Sequence, residues 1–497
     1  MSSESGIDVI VVGSGAGGSA AAYRLAQAGL RVVVLEKGGV LPRDGSTLDV
    51  ERVVRRGEFL SREPWLDGSG RRFMPEEHFN VGGKTKWYGA ALLRFAPDEF
   101  EPQPVRAFLG WPIDSHELKP WYREAEALLG VRTFAPEPDL RRILERFERR
   151  AGGWTAAPMP MGLAHGIQQE PREAAHFDGF ASVRDLKAEA EVSLLQPLVR
   201  SGRVRLETGA EVVTLRGAAL DPARITGVRL ADGRELTCRT VVLAAGALHS
   251  PRILQRYLRS SGLDARLPIA PLVGANLKLH LLTAMVAFSG SRKHDLIRKT
   301  VVLTNERYRH SSVQPLGFDG ELIAQLIPKC VPRGIARAMG RRGYGFFLQT
   351  EDGSHPDNRV SDHANLDPGL PQLDYDGRRC PHSEREHREV VRAFRVALAQ
   401  AGLPAFSRRI GLAGTAHACG TLASGASPAS SVVDAQGRVH GLTQLRVADG
   451  SILPRSSRVN PSLTIYAWGL RTGALLANAL QGGDATSNAV VERPNAS

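Results

Sequence analysis

Asp8-Val9-Ile10-Val11-Val12-Gly13-Ser14-Gly15-Ala16-Gly17-Gly18 is the stretch whose reading decides the fold. Val9 to Val12 are all β-branched and apolar, the pattern of a short strand covered on both faces in a parallel sheet. The glycine-rich turn leads at once into a helix-like segment, Ser19 to Gly29, and a second apolar run from Arg31 to Leu35 ends in Glu36. This is a complete βαβ unit, and its glycines have separate purposes. Gly13 permits the tight turn, Gly15 lets the backbone approach a pyrophosphate, and Gly18 lets helix and strand pack closely. The helix N-terminus then faces the phosphates, and Ala16 in the turn is counted with Gly13, Gly15 and Gly18 among the cofactor-binding residues. Glu36 stands 18 residues after Gly18, where a carboxylate accepts hydrogen bonds from the adenosine ribose hydroxyls and disfavours a 2'-phosphate. The motif specifies a dinucleotide without separating a flavin from a nicotinamide.

A chain of 497 residues, 42% hydrophobic and 23% charged, buries a large core and exceeds the usual single-domain length, so two closely joined domains are expected. The N-terminal residues run straight into the first strand with neither a basic region nor a separate apolar stretch, and no run reaches the length of a membrane span, which points to the cytoplasm. Cys238, Cys330, Cys380 and Cys419 are far apart and form no CxxC pair, so neither a disulfide framework nor a structural metal is expected. The net charge of +12 has no helix-turn-helix, RNA-binding or zinc-finger motif to organise it, which argues against nucleic acid. Lys329, Arg333, Arg337 and Arg341 would form a basic stripe on a helix. A solvated face is the first reading of it, and peripheral contact with an anionic membrane or an acidic partner is the sharper one.

Further segments narrow the choice of dinucleotide. Val81-Gly82-Gly83-Lys84-Thr85-Lys86-Trp87-Tyr88-Gly89-Ala90 is glycine-rich, and Ala244-Ala245-Gly246-Ala247-Leu248-His249-Ser250-Pro251 reads as strand, turn and helix start. Val273-Gly274-Ala275-Asn276-Leu277-Lys278-Leu279-His280 follows. Near the C-terminus come His417-Ala418-Cys419-Gly420-Thr421, Ser431-Val432-Val433-Asp434, Leu445 to Ser451, and Asn460-Pro461-Ser462-Leu463-Thr464. In this order the segments resemble the glucose-methanol-choline (GMC) oxidoreductase family, whose members bind FAD, over nearly the whole chain. Trp111-Pro112-Ile113, the Trp121 to Glu126 region and Asn358-Arg359-Val360 are similar to its gluconate-dehydrogenase-like bacterial branch.

The resemblance implies an α/β fold, with an FAD-binding Rossmann-like domain and a discontinuous substrate domain built on an antiparallel sheet. It places Gly82, Gly83, Thr85, Tyr88 and Gly89 alongside the flavin diphosphate and ring, Ala245 and Gly246 in the second signature's turn, and the Val212 backbone at adenine. It puts Asp449 near the ribityl chain or the start of the pyrimidine side, an aspartate closing the turn before Gly450 being the alternative. His417 and Asn460 face the flavin from the substrate side. Family members with covalent FAD carry a histidine at the position of Trp87, so this chain is expected to hold FAD non-covalently. Tyr88 stands where Asn or His is usual, and Gln255 where an aliphatic residue is usual.

Oxidising an alcohol removes a hydroxyl proton and a hydride from the adjacent carbon. An imidazole suits the first task, because its ordinary pKa of about 6.5 lies near working pH. His417 would take the proton while Asn460 donates to the same oxygen, holding the carbinol for hydride transfer to flavin N5. Asn460-Pro461 also reads as an N-cap followed by proline at the first helical position, opening a helix through about Leu476 whose positive end would face the flavin N1 and C2 carbonyl. His249 and His280 read as structural, and Cys419 as a small apolar side chain packed near the flavin.

The FAD-binding domain is expected from residues 1–100, 190–270 and 410–490, the substrate domain from 101–189 and 271–409, and a disordered polar tail from 482–497. Residues 281–350 carry no motif that names pocket walls. The basic charge mildly disfavours a polycationic substrate such as an aminoglycoside. The partner is a small-molecule alcohol, with oxygen, a quinone, a cytochrome or a carrier all open as electron acceptor. A flavin-dependent lyase or photodecarboxylase, and an electron-transfer or binding protein that uses FAD structurally, are the competing classes on the same fold. Retention of both His417 and Asn460 favours oxidation.

Overall fold

The computed structural model describes residues 6–327, 330–363 and 369–482. The βαβ unit forms as its pattern requires: strand Val9–Val12, helix Ala16–Gln27 and strand Val32–Glu36. Both strands are buried along their whole length, which is why alternation is missing from their sequence. They sit in a five-stranded parallel sheet. Val9–Val12 lies at its centre, flanked on one side by Val32–Glu36 and Val204–Thr208, and on the other by Thr240–Leu243 and Leu445–Val447. Three distant parts of the chain thus build one sheet, with the loops at its carboxyl ends gathered over the glycine turn.

The long C-terminal helix Ser462–Leu480 packs on the first helix with very close backbones. A Cβ on Gly469 would lie 2.5 Å from the Gly17 carbonyl oxygen, and one on Gly473 2.7 Å from that of Ala21. Only glycine permits that separation. Trp111, Tyr122, Trp468 and Leu463 share one core with Val12, Leu35 and Leu243 of the parallel sheet. The helix Ser115–Leu128 therefore packs with the nucleotide-binding core, with Tyr122 hydroxyl 2.8 Å from Thr464 Oγ1, although it lies within the 101–189 span expected to serve the substrate side.

The second large unit is a six-stranded, wholly antiparallel sheet drawn from residues 155–158, 281–288, 301–304, 311–315, 343–350 and 405–409. Helices Pro138–Arg150 and Pro381–Gln400 bury Ile143, Phe147, Phe394 and Leu398 against Met285, Phe346 and Leu348 of this sheet.

Among the described residues no helix is long and apolar enough to cross a membrane. The basic stripe forms in part: Arg333 and Arg337 lie on the helix Arg333–Gly340, and Arg337 and Arg341 pair with Glu321 at 3.4 and 3.7 Å. Lys329 and residues 483–497 of the expected tail lie outside the described residues.

Candidate active site

Each glycine of the first motif has an identifiable neighbour. Gly13 adopts φ +101°, and a Cβ there would meet the Ala244 carbonyl oxygen at 2.4 Å. A Cβ on Gly18 would come within 3.0 Å of Ala244 Cβ, and one on Gly17 would lie 1.5 Å from the Ala448 carbonyl oxygen. Gly15 differs: it has φ −68°, caps the helix with no side-chain acceptor, and a Cβ there would meet nothing within 4 Å. An uncapped helix N-terminus facing open space is a cradle for a diphosphate, so the residues present fit a dinucleotide.

The second glycine segment packs directly on this turn. Gly82 and Gly83 have φ +85° and +55°, and a Cβ on Gly83 would lie 3.2 Å from Gly15 Cα. Ser14 joins the two turns, because its hydroxyl donates to Glu36 Oε2 at 2.6 Å and accepts from Gly82 N–H at 3.0 Å. Glu36 also accepts from the N–H groups of Ser14 and Gly38, and burial pushes its pKa up. The sequence motif gave Ser14, between Gly13 and Gly15, no role of its own. Thr85 donates to the Gly82 carbonyl at 2.6 Å and accepts from Ala190 N–H at 3.0 Å.

Beyond it the chain is clamped. The Tyr88 hydroxyl donates to the Ala188 carbonyl at 2.5 Å, while buried Lys187 donates to the carbonyls of Tyr88, Phe177 and Phe180. Three carbonyl acceptors need three N–H donors, so this geometry holds the ammonium form although burial pulls its pKa down to about 7. Gly89 is needed because the buried pair Asp178–Lys299, at 3.1 Å, presses on it; a Cβ would lie 2.2 Å from Asp178 Oδ1. Trp87 donates from its indole to Asn80 Oδ1 at 2.9 Å and stacks on His78.

Gly246 also adopts a left-handed φ, +84°. Its N–H donates to Asp449 Oδ2 at 2.9 Å, as does the Ser250 hydroxyl at 2.5 Å, and the latter accepts from Ala245 N–H. The other Asp449 oxygen accepts from Ser451 N–H and hydroxyl. Of the two roles open for Asp449, the turn-closing one is therefore present, and the same carboxylate ties that turn to the Gly246 turn. Buried Val212 begins the strand Val212–Gly217 beside Ala210, whose N–H donates to the Glu36 carbonyl.

His417 and Asn460 come together from loops 43 residues apart, with Asn460 Nδ2 3.4 Å from His417 Nε2. Asn460 does not cap its helix. Pro461 holds the capping position, and the Asn460 side chain is engaged by Gln314, which donates from Nε2 to Asn460 Oδ1 at 2.6 Å. The pull of Gln314 on the oxygen leaves the amide N–H₂ turned to the imidazole. Gln314 is fully buried on the antiparallel strand Ser311–Pro315, a position in the stretch where no motif was legible.

His280, expected to be structural, is the partner of His417. Its Nδ1 lies 2.8 Å from His417 Nδ1, and its Nε2 lies 2.7 Å from the Ser457 carbonyl oxygen. A carbonyl only accepts, so the hydrogen of neutral His280 sits on Nε2 and its Nδ1 accepts from His417 Nδ1–H. His417 consequently presents a bare Nε2 lone pair towards Asn460. Both residues of the His280–Ser457 link carry backbone in the left-handed region, His280 at φ +59° and Ser457 at +73°. Such conformations in non-glycine residues persist where surrounding structure enforces them. Loss of solvent around the ring, and then the titratable neighbour His280 and the cations Lys299 and Lys84, hold the His417 pKa well below the ordinary imidazole value. The imidazole is therefore neutral at neutral pH. His249 is separate: it packs edge-on against Trp65 and Phe79.

A glycine cradle for a dinucleotide, and a neutral histidine facing an amide beside it, define a flavin- or nicotinamide-dependent oxidoreductase. Residues 8–307 match the FAD dependent oxidoreductase family, and residues 355–469 match the GMC oxidoreductase C-terminal family. The chain belongs to the FAD-dependent oxidoreductases of the GMC family. It is 28% identical to 6'''-hydroxyparomomycin C oxidase of Streptomyces lividus and to paromamine 6'-oxidase of Streptomyces fradiae, over 95% of this chain and 92% of each relative. A 2-methyl-1,2-propanediol dehydrogenase of Mycolicibacterium austroafricanum is 25% identical over 56% of each chain. The fold matches that of pyridoxine 4-oxidase from Mesorbium loti with a TM-score of 0.68 at 18% identity, covering 94% of this chain and 98% of that one. Formate oxidase of Aspergillus oryzae aligns with a TM-score of 0.69 at 14% identity, over 97% and 100%.

Proposed function

We propose that the protein oxidises the hydroxyl group of a small-molecule alcohol to a carbonyl, with His417 Nε2 taking the hydroxyl proton and Asn460 orienting the oxygen. FAD, when bound, supplies the two-electron acceptor. The observation that carries the assignment is the Ser457–His280–His417 chain, which leaves one ring nitrogen of a neutral imidazole without a hydrogen and turned to the Asn460 amide. A hydroxyl placed between them donates to Nε2 and accepts from Nδ2–H, so negative charge developing on its oxygen finds a donor already aligned. Buried Gln314 and His280 set the orientation of the two partly open groups.

The cradle of Gly13, Gly15, Ala16 and Gly18, the segment Gly82, Gly83, Thr85, Tyr88 and Gly89, the turn Ala245–Gly246, and Glu36, Val212, Asp449, Asn460, Pro461 and Ser462 would hold FAD. Trp87 offers an indole already bonded to Asn80 where a histidyl link would need an imidazole, which supports non-covalent binding. The FAD-binding part would comprise residues 1–100, 190–270 and 410–490 together with helix Ser115–Leu128, and the remainder would form the substrate side.

The test is anaerobic mixing of the yellow protein with sugars, sugar acids, aliphatic, aryl and polycyclic alcohols and paromamine, the last brought in by the relatives' names against the charge argument. Bleaching of the flavin band near about 450 nm identifies the substrate. His417→Ala is expected to keep FAD and slow that bleaching by at least about 100-fold. An unchanged rate would remove His417 from the chemistry.

A further inference from the structure

A cavity of about 760 Å³ opens at the end of the parallel sheet opposite the glycine turn. Its wall includes Thr240 and Leu445, the first residues of their strands, whereas Ala245–Gly246 and Asp449 follow the far ends of the same strands. Dinucleotides bind at the carboxyl ends, so this cavity is a separate site. Among the described residues its charged lining consists of Arg224, Arg239, Arg438 and Arg446 against one carboxylate, Asp434.

Arg446 is the informative member. It is 8% exposed, on an edge strand of the central sheet, and its one side-chain hydrogen bond among the described residues goes from Nη1 to the Gln436 carbonyl. Asp434, the only acidic lining residue among the described residues, is held by Arg438 at 2.6 Å. Arg224 has no side-chain partner among the described residues, and Arg239 reaches Asp8 only at 3.5 Å while donating to the Leu480 carbonyl. Burying a guanidinium without a carboxylate is costly unless another charge compensates it. Arg224, Arg239 and Arg438 lie open to water, and it is buried Arg446 beneath them that sets the cluster apart from a solvated basic face.

We infer that this cavity binds a small organic oxyanion carrying two or more negative charges, in phosphate or carboxylate groups, with Arg446 at its floor and Arg224, Arg239 and Arg438 around its rim. A planar guanidinium with free N–H groups matches either oxyanion in two-point fashion. The concave shape and the depth of Arg446 favour a small molecule over the flat acidic face of a protein.

The experiment is isothermal titration of the FAD-loaded protein, whose diphosphate cradle is filled by its own cofactor, with pyrophosphate and with citrate at ionic strength held constant with sodium chloride. Saturable binding of at least one probe is expected, weakened about tenfold or more in Arg446→Gln and detectably in Arg224→Gln, with the flavin absorbance unchanged. Arg224 is exposed, so its variant remains a fair test should Arg446→Gln fold poorly. The better of the two probes tells phosphate from carboxylate chemistry. No saturable binding tighter than about 1 mM by either probe, or equal affinity in wild type and both variants, overturns the inference.

Discussion

Replacing His280 by leucine should damage catalysis without touching substrate or flavin. In the wild type the His417 Nδ1–H is accepted by His280 Nδ1 at 2.8 Å, and that bond fixes the tautomer. Leucine leaves the donor unpaired next to an apolar side chain, at a cost of about 1–3 kcal/mol for a buried unsatisfied group. The ring relieves this by moving its proton to Nε2, the nitrogen that faces Asn460, and that tautomer accepts no proton there. At about 1.36 kcal/mol per decade, the same 1–3 kcal/mol lowers the rate of flavin reduction by about 5- to 150-fold. His280→Gln is the control, since a glutamine amide donates to the Ser457 carbonyl and accepts from His417, and it should stay within about fivefold of wild type. Both variants keep a non-glycine side chain at the same φ of +59°, so backbone strain cancels in the comparison. The assay is anaerobic stopped-flow bleaching, across pH, by an alcohol that reduces the wild-type flavin. In the leucine variant the acid limb should also move to lower pH, because the acceptor that stabilises the imidazolium is gone. Wild-type rates with an unmoved limb in His280→Leu, or glutamine as slow as leucine, would refute the tautomer argument.

Four further outcomes are expected. Gly15→Ala should fold with a stability within about 0.5 kcal/mol of wild type, because its Cβ meets nothing, yet bind FAD more weakly on equilibrium dialysis. Gly17→Ala, whose Cβ would lie 1.5 Å from the Ala448 carbonyl, should lose about 3 kcal/mol or more in urea unfolding. The limiting rate of flavin reduction should stay level as pH falls through 6.5 and drop only below it: protonation removes the His417 lone pair, and its pKa in the folded protein is held below the ordinary value. Acid precipitation should release all flavin into the supernatant; a yellow pellet would mean a covalent bond and a different role for the Trp87 segment.

The sequence by itself determined the nucleotide-binding unit, because local chemistry dictates it. Four β-branched residues, glycines at fixed intervals and a terminal glutamate leave one way to arrange strand, turn and helix, whereas the motif blocks at Gly82, Gly246, His417 and Asn460 were legible through their resemblance to the GMC oxidoreductases. The tertiary structure decided what depends on contacts across the chain. That Asn460 is held by Gln314 rather than capping its helix, and that His280 sets the tautomer of His417 from 137 residues away, could not be read from spacing, since neither partner lies near the other in sequence. Helix Ser115–Leu128 joined the nucleotide-binding core through Tyr122 and Thr464, against its place in the chain. The cluster around Arg446 was hidden in a scattered basic charge, because only folding shows which arginines share a cavity and which of them lacks a carboxylate. Periodicity and turn residues carry information about backbone conformation over a few residues, while hydrogen-bond partners and buried charge are fixed only when distant segments meet.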